Sequence, residues 1–209
     1  MYRLLYCLSL AALLSACSTE TQETGDLNSK LQEGDIIFQS SLTPQSQAVK
    51  QATNSQYSHV GILFNENNEW IVYEAVQPVK KTPIDEWIER GENAHYVVKR
   101  LKNADDVLND DIIAKMKAAG EDDMGKDYDI YFNWSDDEIY CSELVWKVYK
   151  EGADIQISKK KQLKDFDLTS EAVHKVMDER YGDDVPLEET VVAPADLFAS
   201  EKLVLVDQN

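Results

Sequence analysis

The sequence predicts an α+β fold in which an antiparallel sheet packs against one cysteine-bearing helix. Short segments rich in β-branched and aromatic residues alternate with turn signals, which predicts paired strands. Apolar residues recur at helical spacing between residues 138 and 151, which predicts an amphipathic helix with Cys141 in its first turn. A length of 209 residues with 43% hydrophobic content suffices for one core and is too short for two full domains.

The first elements are predicted from local signals. Residues 34–39 have the apolar centre of a short buried strand. Thr43 and Pro44 are the residue types preferred at a helix N-cap and at the first helical position, so we expect a helix from there to about Thr53.

Residues 58–64 and 69–76 are predicted to form an antiparallel hairpin, because they flank the turn sequence at 65–68. If the hairpin is centred on that turn, His59 lies opposite Glu74. Directly opposed Cβ atoms are roughly 4.5–5.5 Å apart, so a hydrogen bond between the imidazole and the carboxylate is expected.

The rest of the chain is assigned in the same way. Thr82 and Pro83 predict the N-cap and first residue of a short helix that Gly91 ends. Asp136 or Asp137 is predicted to cap the cysteine-bearing helix. The remaining predicted segments are a strand at 95–101, a helix at 106–119, a polar loop at 120–127, a short strand at 129–132, helices near 160–165 and 169–180, and a last strand at 203–206.

The N-terminus has the pattern of a signal peptide. A basic start precedes the apolar residues 4–14, a length that suits a signal-peptide h-region and is too short to span a bilayer. The segment ends in Leu14-Ser15-Ala16-Cys17, which resembles the bacterial lipobox. The resemblance implies that residues 1–16 are removed and that Cys17 is lipidated. A plain secretory signal cut nearby, or a buried amphipathic start, is the alternative.

The lipobox also implies a location in the bacterial cell envelope. Ser18 stands where lipoproteins of the inner membrane use aspartate, so the expected anchor is in the outer membrane and faces the periplasm. Residues 17–33 are polar, which predicts a flexible tether, and residues 34–209 are expected to form a single catalytic domain. A net charge of −18, from 39 acidic residues against 21 Lys and Arg, argues against a nucleic-acid partner.

Cys141 is the one thiol expected in the mature chain, because Cys7 lies in the leader and Cys17 is expected to carry lipid. Structural cysteines of the oxidising periplasm normally occur in pairs, so an unpaired one is either buried and inert or retained for its reactivity. The N-terminus of a helix favours the thiolate, whereas the acidic residues at 136–138 oppose it.

Cys141, His59 and Glu74 are therefore the candidate catalytic residues. His59 would take the thiol proton and later protonate the leaving group, and Glu74 would orient the imidazole. Backbone N–H groups at the start of the helix would receive the oxyanion. Tyr140 adjoins the cysteine and is a candidate oxyanion or pocket residue, although a tyrosine beside a helix more commonly serves in packing.

A His, Glu and Cys set can also bind zinc. The sequence has neither a His-x-x-x-His nor a Cys-x-x-Cys spacing, so we expect no metal and no cofactor. His95 and His174 are predicted to be surface or structural residues. Trp134 and Trp146 are expected in the core or in the wall of a pocket.

Several motifs, taken in order, resemble one family. They are Gly34-Asp35-Ile36-Ile37, Tyr57-Ser58-His59-Val60-Gly61-Ile62, Tyr73-Glu74-Ala75-Val76, Val97-Val98-Lys99-Arg100-Leu101 and Ile139-Tyr140-Cys141-Ser142-Glu143-Leu144-Val145-Trp146. Together they look like the YiiX/YaeF-type permuted papain-like amidases of the NlpC/P60 superfamily, over about residues 34–152. The histidine motif precedes the cysteine motif, which is the permuted order, and the resemblance implies Cys141 as nucleophile, His59 as base and Glu74 as third residue.

The resemblance implies a cysteine hydrolase that cleaves an amide, peptide or ester bond through a thioester, with acyl transfer as a variant. A cell-wall peptide or a lipid amide is the expected substrate, reached from the membrane anchor. The alternative is a non-catalytic envelope lipoprotein that uses the same fold to bind a lipid or a protein partner. That alternative predicts an occluded Cys141 with His59 turned away from it. Residues from 154 onward match no motif of the family.

Overall fold

The computed structural model describes residues 27–209. The predicted signal peptide at 1–16, the predicted lipidation site Cys17 and the first part of the predicted tether lie outside the described residues. Within residues 27–209, no helix is both long enough and apolar enough to cross a membrane.

The strands form two antiparallel sheets. Their bounds are β1 (Ile36–Gln39), β2 (His59–Glu66), β3 (Glu69–Glu74), β4 (Lys80–Pro83), β5 (Val97–Leu101), β6 (Lys161–Gln162), β7 (Thr190–Val191) and β8 (Leu203–Gln208). The main sheet has six strands in the order β4-β3-β2-β1-β5-β8, and β6 pairs with β7 separately.

The helices connect and cover these sheets. Their bounds are α1 (Leu27–Lys30), α2 (Pro44–Thr53), α3 (Ile84–Glu89), α4 (Ala104–Val107), α5 (Asp110–Asp122), α6 (Cys141–Ala153), α7 (Glu171–Tyr181) and α8 (Pro194–Phe198), with 3-10 turns at Glu92–Ala94 and Leu163–Asp165. This arrangement confirms the predicted α+β fold, with the antiparallel sheet packed against the cysteine-bearing helix α6.

An apolar cluster lies on each face of the main sheet. Successive side chains of a strand point to opposite faces, so one strand contributes to both clusters. Ile36 and Phe38 of β1 belong to a cluster that includes apolar residues of α5 and α6. Ile37 between them belongs to a second cluster, with Leu27 of α1 and Trp87 of α3. A strand buried on both faces reads as a continuous apolar run, as β1 does.

The predicted helix α2 is confirmed in full. It runs from Pro44 to Thr53, and the Thr43 side chain caps it by accepting a hydrogen bond from the Ser46 N–H at 3.2 Å. The helix packs against α7 beside the main sheet, and both helices line a cavity next to Cys141.

The predicted hairpin is present, but its predicted register is wrong. Ile62 lies opposite Tyr73 and Glu66 opposite Glu69, so the strands extend further into the turn than expected. The turn itself is only Asn67 and Asn68, whose φ values of 53° and 67° suit the tight turns of two-residue hairpins. In this register, His59 and Glu74 are diagonal neighbours instead of direct partners.

The start of the cysteine-bearing helix also differs from the prediction. Tyr140 is the N-cap of α6 and Cys141 is its first residue, so neither Asp136 nor Asp137 caps it. The preceding residues form an irregular loop, where a strand at 129–132 was expected, and an isolated bridge joins Tyr128 to Ile139.

Several other segments differ from their predicted secondary structure, because a neighbouring strand or cap sets their bounds. Thr82 pairs in β4 and Pro83 is the N-cap of α3, because the chain stays extended up to the helix. Asn109 caps α5 by accepting from the Ile112 N–H, which divides the helix predicted at 106–119. At its other end, α5 runs to Asp122, inside the loop predicted at 120–127. The helix expected near 160–165 is instead β6 followed by a 3-10 turn. The last part of the predicted tether is packed against the domain, with Leu27 and Leu31 buried.

Candidate active site

The cysteine is held at the N-terminus of α6, against the first strand of the hairpin. Cys141 is 4% exposed and belongs to the main core cluster. The backbone N–H groups of Ser142 in α6 and of Val60 in β2 donate to its sulfur. Because N–H groups at a helix start lack intrahelical acceptors, a thiolate there meets donors already in place.

His59 is fixed between the cysteine and the buried carboxylate. Its Nε2 lies 2.7 Å from Glu74 Oε2, and its imidazole also hydrogen-bonds the Cys141 thiol, which leaves Nδ1 as the nitrogen facing the sulfur. The ring stacks on Trp87 with a centroid distance of 5.8 Å and an interplanar angle of 23°. Gly61 lies on β2 close to β3, where an added Cβ would be 2.3 Å from Val72 Cγ1 and 3.0 Å from the Tyr73 carbonyl oxygen, so a larger residue would disturb the packing of these two strands.

Glu74 is fully buried and its carboxylate is saturated with donors. Besides His59, it accepts from Thr82 Oγ1 at 2.7 Å and from Arg90 Nη2 at 2.6 and 2.7 Å. Sequence reasoning did not identify Thr82 or Arg90 as site residues. The sequence predicted Thr82 as a helix N-cap. For Arg90 it indicated only that a helix ends there, at Gly91.

The ionisation of the three groups follows from these contacts. Burial by itself raises the pKa of Glu74, but His59, Arg90 and Thr82 lower it to about 2. Burial by itself lowers the pKa of His59, but Cys141 and Glu74 raise it to about 9. Burial raises the pKa of Cys141, yet His59 and the two N–H groups lower it below the usual value of a cysteine. The site therefore favours a thiolate–imidazolium pair.

The acidic residues before Cys141 do not oppose this pair, as the sequence suggested they would. Asp136, Asp137 and Glu138 are all exposed, where water screens their charge. Asp136 in addition pairs with Lys147 at 2.7 Å.

Tyr128 is a site residue that the sequence did not reveal. Its hydroxyl hydrogen-bonds the Cys141 sulfur and accepts from Gln45 Nε2 at 2.9 Å. Arg180 Nη2 in turn donates to Gln45 Oε1 at 2.7 Å, which orients the amide. Burial and the nearby cysteine raise the pKa of Tyr128 well above its ordinary value, so the hydroxyl stays a neutral donor. Gln45, Tyr128 and Arg180 are far apart in the chain, and no local pattern connects them.

Tyr140 lies beside the cysteine, but its hydroxyl points elsewhere. It accepts a hydrogen bond from the backbone N–H of Val192 at 3.2 Å, and its ring packs edge-on against Phe132. The ring lines a cavity next to Cys141. The structure thus brings Tyr140 to the pocket and places Tyr128 as the tyrosine whose hydroxyl contacts the sulfur.

The other residues considered from sequence lie outside this group. His95 Nδ1 contacts the backbone carbonyl of Asn209, and His174 is exposed on α7. Trp134 and Trp146 pack edge to face at 5.1 Å, with Lys160 Nζ 4.4 Å from the Trp134 ring centre.

A cleft and a cavity meet beside His59 and Cys141. A cleft of about 690 Å³ is lined by His59, Arg90 and polar side chains of the β1–α2 loop. A cavity of about 90 Å³ with mainly apolar walls is lined by Cys141. Gln45, Ser58 and Tyr128 line both spaces and so form a partition between them.

An imidazole that contacts a helix-start thiol and is held by a buried carboxylate belongs to the papain-like class of cysteine hydrolases. In this chain the histidine, at the start of β2, precedes the cysteine, at the start of α6, which is the permuted arrangement.

Comparison with known proteins identifies the family within that class. The chain belongs to the permuted papain-like amidases of the YaeF/YiiX, C92 family, whose family model matches residues 30–207. It is 45% identical over 175 residues to the uncharacterized protein YiiX of Escherichia coli strain K12, covering 84% of this chain and 85% of that protein. The crystal structure of metalloprotein yiiX from Escherichia coli O157:H7, DUF1105, matches with a TM-score of 0.82 at 43% identity, covering 86% of this chain and 98% of the other.

Proposed function

We propose that the protein is a cysteine amidase that cleaves its substrate through a thioester on Cys141. The observation that carries the proposal is the contact of the Cys141 thiol with His59, whose other ring nitrogen lies 2.7 Å from the buried Glu74. The non-catalytic alternative predicts an occluded Cys141 and a histidine turned away from it. Cys141 is 4% exposed, as that alternative predicts, whereas the His59 imidazole contacts the thiol, as catalysis requires.

The first half-reaction uses groups that are already in place. The Cys141 thiolate attacks the carbonyl carbon, forming a C–S bond while the carbonyl oxygen takes up the negative charge. The Tyr128 hydroxyl and the backbone N–H groups at the start of α6 lie at the Cys141 sulfur, so they are the donors that we expect to stabilise this oxygen. The C–N bond then breaks, and the leaving nitrogen takes the proton from the His59 imidazolium.

The second half-reaction reverses these roles. Neutral His59 removes a proton from water, the oxygen attacks the thioester carbon, and the C–S bond breaks to release the acid and the thiolate. Glu74 keeps the imidazole oriented and stabilises its charged form in both halves. If an alcohol or amine replaces water, the same steps give acyl transfer.

The description of the Escherichia coli O157:H7 relative as a metalloprotein raises the question of a metal in this chain. Among residues 27–209, no group of three or more His, Cys, Asp and Glu side chains is arranged to hold an ion. Both oxygens of Glu74 already accept hydrogen bonds from His59, Thr82 and Arg90. The residues therefore do not fit a metal centre, and the proposed steps need none.

The proposed setting is the bacterial cell envelope, with a lipid on Cys17 anchoring the protein to the outer membrane on the periplasmic side. The support is the lipobox-like sequence directly after an apolar h-region. Within residues 27–209, Cys141 is the one cysteine and is unpaired, which in an oxidising compartment is consistent with a thiol that serves in catalysis.

The proposal is tested by alkylation of Cys141 with iodoacetamide at pH 6. An ordinary thiol is almost fully protonated there, whereas the His59 pair keeps Cys141 as a thiolate, so His59→Ala should slow labelling by at least about tenfold. His174→Ala is the matched control, because His174 is exposed and should leave the rate unchanged. If His59→Ala labels as fast as the wild type, or if Cys141→Ala retains amidase activity, the proposal is wrong.

A further inference from the structure

The polar cleft in front of His59 presents positive charge, although the chain as a whole is strongly acidic. The sequence has 39 Asp and Glu residues against 21 Lys and Arg. Among the described residues that line the cleft, however, none is Asp or Glu. Arg90 lines it, and so does His59, which its contacts with Glu74 and Cys141 favour as an imidazolium. This surface is therefore suited to an anionic group, whereas most of the protein repels one.

The acidic residues close to the cleft do not cancel this charge. Glu92 accepts hydrogen bonds from Lys50 Nζ and from Ser40 Oγ, both at 3.2 Å, so a lysine already compensates it. Asp127 accepts from Gln77 Nε2 at 2.6 Å and is exposed, so water screens its charge.

Arg90 keeps donors available after it has bound Glu74. Its Nη2 alone contacts both oxygens of that carboxylate, at 2.7 and 2.6 Å. Its Nη1 and Nε have no hydrogen-bond partner among the described residues, and its side chain is 39% exposed where it lines the cleft. A guanidinium has five N–H donors in one plane, so the nitrogens that Glu74 does not use can bind a second carboxylate.

The position of Arg90 relative to His59 indicates which part of a substrate it meets. His59 protonates the leaving nitrogen, so the amine half of the substrate lies in the cleft that His59 lines. His59 Nε2 and Arg90 Nη2 contact the same atom, Glu74 Oε2, at 2.7 and 2.6 Å, so a single carboxylate oxygen separates the two cationic groups. A negative group a few bonds from the leaving nitrogen is therefore the one that meets Arg90.

We propose that Arg90 binds a carboxylate of the leaving amine, so that the enzyme hydrolyses amides whose amine half is an amino acid with a free α-carboxylate. The inference rests on the proposed amidase function and specifies its leaving group. Two kinds of substrate share this chemistry, an N-acyl amino acid and the C-terminal residue of a peptide. In both, the carboxylate carbon is two bonds from the scissile nitrogen.

The first test compares an anionic alkylating agent with a neutral one. Iodoacetate and iodoacetamide both alkylate the Cys141 sulfur with loss of iodide, and iodoacetate alone carries a carboxylate. At pH 6, the ratio of the iodoacetate rate to the iodoacetamide rate should be at least about tenfold higher for Cys141 than for 2-mercaptoethanol. Arg90→Gln should lower this ratio by about tenfold, because a change in the amount of thiolate affects both reagents equally.

Lys80→Gln is the matched control for the loss of a positive charge. Lys80 lies opposite Glu74 in the pairing of β3 with β4, and its Nζ is 3.8 Å from Glu86. It does not line the cleft, so its loss should leave the ratio of the two rates unchanged. An equal decrease in both variants would show that the charges act at long range, and the contact between Arg90 and a carboxylate would be wrong.

The second test measures kcat/KM for two pairs of amides. N-octanoylalanine is compared with N-octanoylalaninamide, and N-acetylalanylalanine with N-acetylalanylalaninamide, for cleavage of the bond to the last residue. In the pair that represents the natural substrate, the acid should have a kcat/KM at least about tenfold higher than the amide, and Arg90→Gln should remove this preference. The acid with the higher kcat/KM identifies the source of the carboxylate as an N-acyl amino acid or a peptide.

The outcomes separate this inference from the proposed function. If Cys141 reacts with iodoacetamide no faster than an ordinary thiol, the proposed function fails, and this inference fails with it. If Cys141 is reactive but does not favour iodoacetate, or if the amides are hydrolysed as fast as the acids, the amidase stands and the carboxylate site is wrong. If neither acid is hydrolysed, the substrate class is wrong.

Discussion

Glu74 determines the charge state of the whole site, although it touches no substrate. Its carboxylate is fully buried and accepts from His59, Thr82 and Arg90, so it stays ionised in a core that would otherwise protonate it. This fixed negative charge raises the pKa of His59, and His59 in turn lowers that of Cys141. A solvent-exposed carboxylate at the same distance would raise the pKa of His59 less, because water would screen its charge.

A second buried carboxylate, Glu143, behaves in the opposite way and leads to a prediction about stability. It lies 3.0 Å from Lys147 Nζ, and burial outweighs this pairing and raises its pKa to about 7. Between about pH 4.5 and 7 the folded chain holds a proton that the unfolded chain has released, so this residue makes stability fall as the pH rises, by at most about 3 kcal/mol.

Glu143→Gln should remove this share of the pH dependence. The free energy of unfolding is measured in urea at pH 5 and pH 8. The value for the variant minus that for the wild type should be larger at pH 8 than at pH 5. Lys147 keeps its contacts with Asp136 and the Ser135 carbonyl in the variant. An equal difference between the two proteins at both pH values would contradict the prediction.

At the scale of elements, the close packing of α5 on α6 positions the helix that carries Cys141. Gly152 of α6 sits directly against α5, where an added Cβ would lie 2.5 Å from Met116 Cα and 2.6 Å from its backbone N. Backbone atoms cannot move aside as a flexible side chain can, so the two helices must separate to admit any larger residue.

Gly152→Ala should therefore destabilise the protein by about 1–3 kcal/mol, measured as a lower urea midpoint. Lys150→Ala is the control on the same helix, because its side chain is exposed and pairs only with Asp154 at the surface, so the expected change is within about 0.5 kcal/mol. Equal stability of the two variants would show that α5 and α6 tolerate the methyl group.

The elements also show how far sequence can predict this site. Local signals identified α2 by its Thr43–Pro44 start and identified the cysteine, histidine and carboxylate. The predicted hairpin register was wrong, yet the predicted hydrogen bond between His59 and Glu74 is present, because diagonal neighbours on one face of a sheet are still within reach of long side chains. Tyr128 and Arg90 were missed, because only tertiary packing brings them to the site.

On the scale of the whole molecule, the proposed lipid anchor and the folded domain lie in different parts of the chain. Residues from 27 onward belong to the folded domain, with Leu27 and Leu31 packed beneath the sheet. The lipobox-like sequence precedes them, so an anchor at Cys17 would leave only a short polar segment between the lipid and the domain.

Loss of residues 1–17 should release the protein from the membrane without changing its catalysis. A chain that begins at Ser18, and so lacks both the h-region and Cys17, should remain in the aqueous phase in Triton X-114 extraction, whereas the wild type should partition into the detergent phase. Cys17→Ala should itself prevent the incorporation of labelled palmitate, which the wild type should show. The rate of Cys141 alkylation at pH 6 serves as the control for intact folding and should be equal in all three. Incorporation of palmitate into Cys17→Ala would show that Cys17 is not the anchor.

The late position of α6 in the chain also affects biosynthesis. His59, Glu74 and Arg90 leave the ribosome well before Cys141, so the sulfhydryl becomes acidic only when its helix docks on a nearly finished protein. The thiol of an unfinished chain is thus a weaker nucleophile than the thiol of the folded domain. Selective labelling of that thiol in mild acid would in turn report when maturation is complete.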